Sequence, residues 1–84
     1  GLRNEVVMLL AMKRNEEALK VSRQLPDDEA LTHYLRAVCL NRLEQMSDAY
    51  DELTKAIQMD PSLKQVAHTD GDVNDLLLDS NDNN

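Results

Sequence analysis

Glycine and proline are scarce in this chain of 84 residues, which holds only Gly1, Gly71, Pro26 and Pro61. The long intervals between them carry apolar residues at three- and four-residue steps, so strands are not indicated. No glycine-rich loop is present to cradle a phosphate. Cys39 is the only cysteine, which excludes an internal disulfide, a thiol-built zinc cluster and a redox pair, and leaves the compartment unread. No apolar stretch reaches the roughly 18 residues that would span a bilayer; the longest, Val6 to Met12, is far shorter. Residues 1–12 do not read as a signal peptide, because Lys13-Arg14-Asn15-Glu16 stands where a small-residue cleavage site belongs. Gly1, ahead of a segment already helical in pattern, reads as an expression scar outside the fold.

Basic clusters are missing too. Sixteen acids against nine bases give a formal charge of −7, and Asp70, Asp72, Asp75, Asp79 and Asp82 crowd the C-terminal end without a single base beside them. Phosphate backbones are held by clustered Lys and Arg, so nucleic acid is not an expected partner. A chain this short has a thin core.

What remains is helical periodicity. Met46, Ala49, Tyr50, Leu53, Ala56 and Ile57 form one apolar stripe, with Asp48, Asp51, Glu52 and Lys55 opposite, and predict an amphipathic helix at 46–59. Ser47 or a neighbour is its expected cap, and Asp60-Pro61 its end. Asp27-Asp28-Glu29 after Pro26 opens a helix at 28–43 that carries Leu31, Tyr34, Leu35, Val38, Cys39 and Leu43. Upstream, helices are expected at 3–12 and 15–25, broken at Lys13-Arg14-Asn15 without a glycine; one bent helix is the alternative. Pro61, with Asp60 as cap, begins a short helix at 61–68. Thr69-Asp70-Gly71-Asp72 turns the chain, and Val73, Leu76 and Leu77 predict a final helical turn or two at 72–78. Residues 79–84 can bury nothing and are expected to be mobile and acidic.

Pro26 and Pro61 lie 35 residues apart, each ending a helix, close to the roughly 34-residue period of a helical-hairpin repeat. With Pro61 as the terminal proline, Ala37 and Ala49 fall where two helices need small residues. Leu40, Leu53 and Ala56 fall on packing positions, and Lys55-Ala56-Ile57-Gln58-Met59-Asp60-Pro61 forms the ending. On these residues the chain resembles the tetratricopeptide repeat family, as a short array of bacterial type. His33 and Arg36 depart from its pattern, where a large aromatic and a Leu are usual, and suggest a shifted register at the start of that helix. Glu16-Glu17-Ala18-Leu19-Lys20-Val21 resembles Ser47-Asp48-Ala49-Tyr50-Asp51-Glu52, a degenerate earlier copy about one turn short. The resemblance implies an all-α fold of about two antiparallel helix-hairpin repeats, a weak one at 3–26 and a stronger one at 28–61, closed by residues 61–78, in one domain spanning 1–78.

The resemblance also implies a non-catalytic protein-interaction or assembly module that binds a peptide or protein segment on its concave face. Leu31, Tyr34, Val38, Asn41 and Arg42 would line that groove: Tyr34 stacking or donating a hydrogen bond, Asn41 clasping a peptide backbone, Arg42 meeting a carboxylate. The plainer alternative has Leu31 and Val38 packing on neighbouring helices and Arg42 as a solvated charge. The apolar run Val6 to Met12 needs a cover: the next two helices of the chain, a preceding domain, or self-association. Two other functions therefore stay open, a homodimerisation module using the first helix and a C-terminal domain detached from a larger bacterial cell-envelope protein.

No cofactor, metal or catalytic residue is expected. Asp70, Asp72 and Asn74 have the alternate spacing of a calcium loop, but Asp75 stands at the glycine position and Asn81 at that of the closing Glu, which favours a solvated turn and helix cap. His33 and Cys39, six residues apart, fall on different helix faces, and Cys39 reads as a small core residue. Met8, Met12, Met46 and Met59 read as core fillers, with an adaptable binding surface as the alternative.

Overall fold

The computed structural model describes residues 1–78; the expected mobile segment at 79–84, and Asn81 with it, lies outside them. The described residues form five α-helices, α1 Leu2–Ala11, α2 Asn15–Ser22, α3 Ala30–Arg42, α4 Met46–Met59 and α5 Leu63–Thr69, then a short 3₁₀ turn at Asn74–Leu77. Among the described residues there is no strand. Helices pack in chain order, α1 on α2, α2 on α3 and α3 on α4, and α5 and the 3₁₀ turn close over α4. The α3 helix is the centre, with Thr32, His33, Tyr34, Arg36, Ala37, Val38, Cys39 and Leu40 all buried.

Helix α4 spans the interval its amphipathic stripe predicts. Ala37, Ala49 and Ala56 are each fully buried, so the short methyls let α3 and α4 press together, and Leu53 fills the space beside them. Burying a leucine of this kind contributes roughly 1.5–3 kcal/mol. Ser47 does not cap the helix; Gln45 precedes its first turn, with no side-chain cap bond. At the far end Asp60 is extended, at φ −141 and ψ 95, as the residue before a proline must be. Its carboxylate then accepts from the Ser62 amide at 3.1 Å, and α5 begins at Leu63, two residues later than expected.

Both hairpins close in the same way. The amide of Lys13 donates to the Leu10 carbonyl at 3.0 Å and that of Arg14 to Leu9 at 2.9 Å; Glu44 donates to Asn41 at 3.0 Å and Gln45 to Leu40 at 2.9 Å. These are paired six-to-one and five-to-two bonds that end a helix on a left-handed residue, a place glycine usually fills. Here Lys13 (φ 60) and Glu44 (φ 62) fill it, which is how the chain breaks at 13–15 without a glycine.

Helix α2 ends at Ser22 rather than at 25, tightening into the bonds Gln24 to Val21 (3.0 Å) and Leu25 to Ser22 (3.1 Å) ahead of Pro26, and α3 starts at Ala30 rather than 28; the Arg36 side chain fills the junction. Its guanidinium, 7% exposed, donates to the Ser22 carbonyl (3.1 Å), the Leu25 carbonyl (3.3 Å) and the Asp27 carboxylate (2.8 Å). Pro26 has no amide to offer the Ser22 carbonyl, which accepts from the Leu25 amide at 3.1 Å as well as from Arg36. Buried beside it, His33 faces Glu52 Oε1 through Nδ1 and the Asp27 carbonyl through Nε2, both at 2.7 Å. His33 and Arg36 therefore both face inward on the unbroken α3.

The methionine expectation fails. Met8, Met12, Met46 and Met59 are 63%, 55%, 51% and 45% exposed, because α1 and α4 turn these positions away from the shared core.

Candidate functional site

The five groove residues share one face of α3, at steps of three, four, three and one. Tyr34 and Val38 are buried, Asn41 and Arg42 are half-buried, and Leu31 is 42% exposed at the open end. Opposite them run residues 70–75, the turn after α5 and the start of the 3₁₀ turn. Tyr34 Oη donates to Asp70 Oδ2 at 2.7 Å. Asn41 Nδ2 donates to the Asp72 carbonyl and to Asp75 Oδ1, both at 2.8 Å. Arg42 grips the Asp72 carboxylate through Nε and Nη2, both at 3.0 Å, and its Nη1 donates to the Leu10 carbonyl at 2.7 Å and to Asn15 Oδ1 at 3.2 Å.

The three polar side chains thus present only donors to the groove, and a continuous acidic segment of the same chain supplies the acceptors. Arg42 is not a solvated charge; it joins α1, the start of α2 and the turn after α5. The turn also shapes itself: Asp70 Oδ1 accepts from the Asp72 amide at 2.9 Å, leaving its other oxygen for Tyr34. Val73, Leu76 and Leu77 follow and are buried. Sequence reasoning read Asp70 and Asp72 as a solvated turn. The available signal was an acceptor-rich, leucine-bearing segment within reach of a donor-rich helix face.

Charge and burial reinforce the arrangement. Burial pushes the Tyr34 phenol well above its ordinary value, and the bond to Asp70 pushes the same way. The bond to Asp72 raises Arg42. Cys39, fully buried, is pushed up to about 11 by burial against the opposing charge of Arg42. The Arg36 guanidinium holds Asp27 below the ordinary carboxylate value, first through their hydrogen bond and then through its charge.

The Cys39 thiol is sealed in the core, and both ring nitrogens of His33 are engaged. No family model, curated protein or solved structure matches this chain.

Proposed function

We propose that this chain is a non-catalytic protein-interaction module, a short array of tetratricopeptide type, whose concave face reads acidic polypeptide segments. The docking of Asp70, Asp72 and Asp75 on Tyr34, Asn41 and Arg42 carries the reading. It gives the chemistry of a ligand: carboxylates two and three residues apart for the three donors, followed by aliphatic side chains for the apolar floor. Leu31 and Val38 extend that floor. The repeat part of the reading is supported by the matched turns at Lys13 and Glu44, and by fully buried pairs at the same spacing, Val6 with Ala37 and Ala18 with Ala49.

The chain's own segment competes with any separate ligand at the high effective concentration of a tethered group. The test therefore loosens the tether. A fluorescently labelled peptide copying residues 70–78 is added to the full chain carrying Asp72→Asn, and anisotropy is followed while circular dichroism checks that the fold is kept. Binding is expected, with at least a tenfold loss on adding Arg42→Glu or on replacing the three peptide aspartates by asparagine. A folded Asp72→Asn chain that takes up no peptide removes the groove from the function.

A further inference from the structure

Beside the groove lies an open cleft of about 410 Å³, walled by Leu10, Ala11, Lys13, Asn15, Arg42 and Asp72. It forms where the turn after α1, the start of α2 and the C-terminal turn meet. Asp72, the carboxylate in the Arg42 fork, is one side of it.

The charges of this cleft do not balance. Among the described residues Asp72 is the one acid in the wall, and Arg42 takes both of its oxygens. Lys13 is a second cation there, and it has no ion-pair partner among the described residues. Its neighbour Arg14 is not equivalent, because Glu17 holds it at 2.6 and 2.8 Å. Asn15 adds a neutral donor: its Oδ1 accepts from Arg42 Nη1 at 3.2 Å, which fixes the amide and leaves Nδ2 to donate elsewhere.

A carboxylate brings one negative charge and two oxygens, and the fork consumes both. A phosphoryl group on serine or threonine brings a charge of about −1.5 to −2 at neutral pH and three strong acceptor oxygens. Such a group answers a guanidinium fork and a second cation together, and the cleft has room for its added oxygens.

We infer that the position Asp72 holds takes a phosphorylated serine or threonine when the ligand is a separate polypeptide, with Arg42 keeping two oxygens and Lys13 and Asn15 meeting the rest. This rests on the groove reading and narrows it to phosphorylated acidic segments, with Lys13 as the residue that tells phosphate from carboxylate. The chain's own turn is then a singly charged substitute that leaves Lys13 unanswered.

Three labelled peptides copying residues 70–78 test it, with aspartate, glutamate or phosphoserine at the position of Asp72. Each is titrated by anisotropy into the full chain carrying Asp72→Asn. The phosphoserine peptide is expected to bind about fivefold tighter than the other two, the gain from one further solvent-screened ion pair, and the gain should shrink as salt is raised. Adding Lys13→Met, which keeps the length of the side chain and removes its charge, is expected to bring the phosphoserine and aspartate peptides within about twofold of each other, whereas Lys13→Arg should retain the preference. Inorganic phosphate in large excess should not displace the phosphoserine peptide, because the free ion lacks the aliphatic contacts that follow. A phosphoserine peptide no tighter than a bound aspartate peptide overturns the inference and leaves the groove reading standing. So does a preference that survives Lys13→Met, or displacement by phosphate alone. A folded chain that binds none of the three removes both.

Discussion

Arg42 and Asp72 meet through two parallel bonds, Nε to Oδ1 and Nη2 to Oδ2, both 3.0 Å, across thirty residues of sequence. Side-by-side guanidinium and carboxylate geometry is stronger and more directional than a single charged contact. The same guanidinium donates to Leu10 and Asn15, so one side chain ties the C-terminal turn to both helices of the first hairpin.

Replacing Arg42 by Ala removes this junction and leaves the Asp72 carboxylate with no guanidinium. The expected loss is about 2–3 kcal/mol of unfolding free energy, read from urea titrations. Arg42→Lys keeps the charge but not the fork, and is expected to lose about half as much. Amide exchange at residues 73–77 should accelerate in both variants, before the signals of α3 and α4 are affected.

Arg36→Leu restores the residue usual in the resembling repeats and is expected to harm this protein. The buried guanidinium caps the Ser22 and Leu25 carbonyls, and leucine leaves both without that donor. The Ser22 carbonyl keeps the Leu25 amide at 3.1 Å, so a loss of roughly 1–3 kcal/mol follows from the Leu25 carbonyl, less whatever the new apolar side chain returns. Calorimetry of the two chains checks it; an Arg36→Leu chain as stable as the parent removes the capping account.

Arg36 also marks where sequence reading stopped. Helix α4 was legible because one stripe and one Asp-Pro boundary define it, and local pattern decides such a helix. The end of α2 was not, because the tightened turn at 23–25 is held from outside by a side chain fourteen residues downstream. The apolar run of α1 suggested cover from the next two helices, yet only Val6 and Leu10 are buried; one helix offers a single face to its neighbours. At the candidate site, Tyr34, Asn41 and Arg42 were legible as one donor face. Their partners were not, since aspartates beside a glycine read locally as a turn and only the tertiary path brings them to α3.

Acid should loosen the 22–29 connection first. The Arg36 hydrogen bond and charge depress Asp27 in the folded chain below its ordinary 3.8. A depressed carboxylate adds stability above its unfolded value, and that stability is lost as pH falls through the folded one. The urea midpoint is therefore expected to fall below about pH 4, and Asp27→Asn should make that fall shallower. An identical acid profile in the two chains rejects the role.

Cys39 should resist thiol reagents while the chain is folded. Burial raises it to about 11 from an ordinary 9.0, so near neutral pH it is a sealed, protonated thiol. A raised value contributes stability below the unfolded value and loses it as pH rises through the folded one, so alkali between about 9 and 11 should weaken the fold. Labelling with a chromogenic disulfide at mildly alkaline pH is expected to run at least a hundredfold slower than in denaturant, because reaction waits on opening. Labelling at the denatured rate would show an accessible thiol.

Lys13 and Glu44 offer the opposite kind of change, substitutions that should strengthen the fold. Each holds a left-handed backbone, φ 60 and φ 62, that closes a hairpin. A side chain there costs about 1–2 kcal/mol that glycine avoids; glycine also gives the unfolded chain more freedom, which returns part of the gain. Neither side chain makes a hydrogen bond or ion pair among the described residues, so little is lost with it. Lys13→Gly and Glu44→Gly are each expected to stabilise by about 0.5–1 kcal/mol, and the two should add because the turns share no partner. Denaturant titrations of both single variants and the double measure this directly. If either single substitution destabilises, the left-handed closure of that hairpin is wrong.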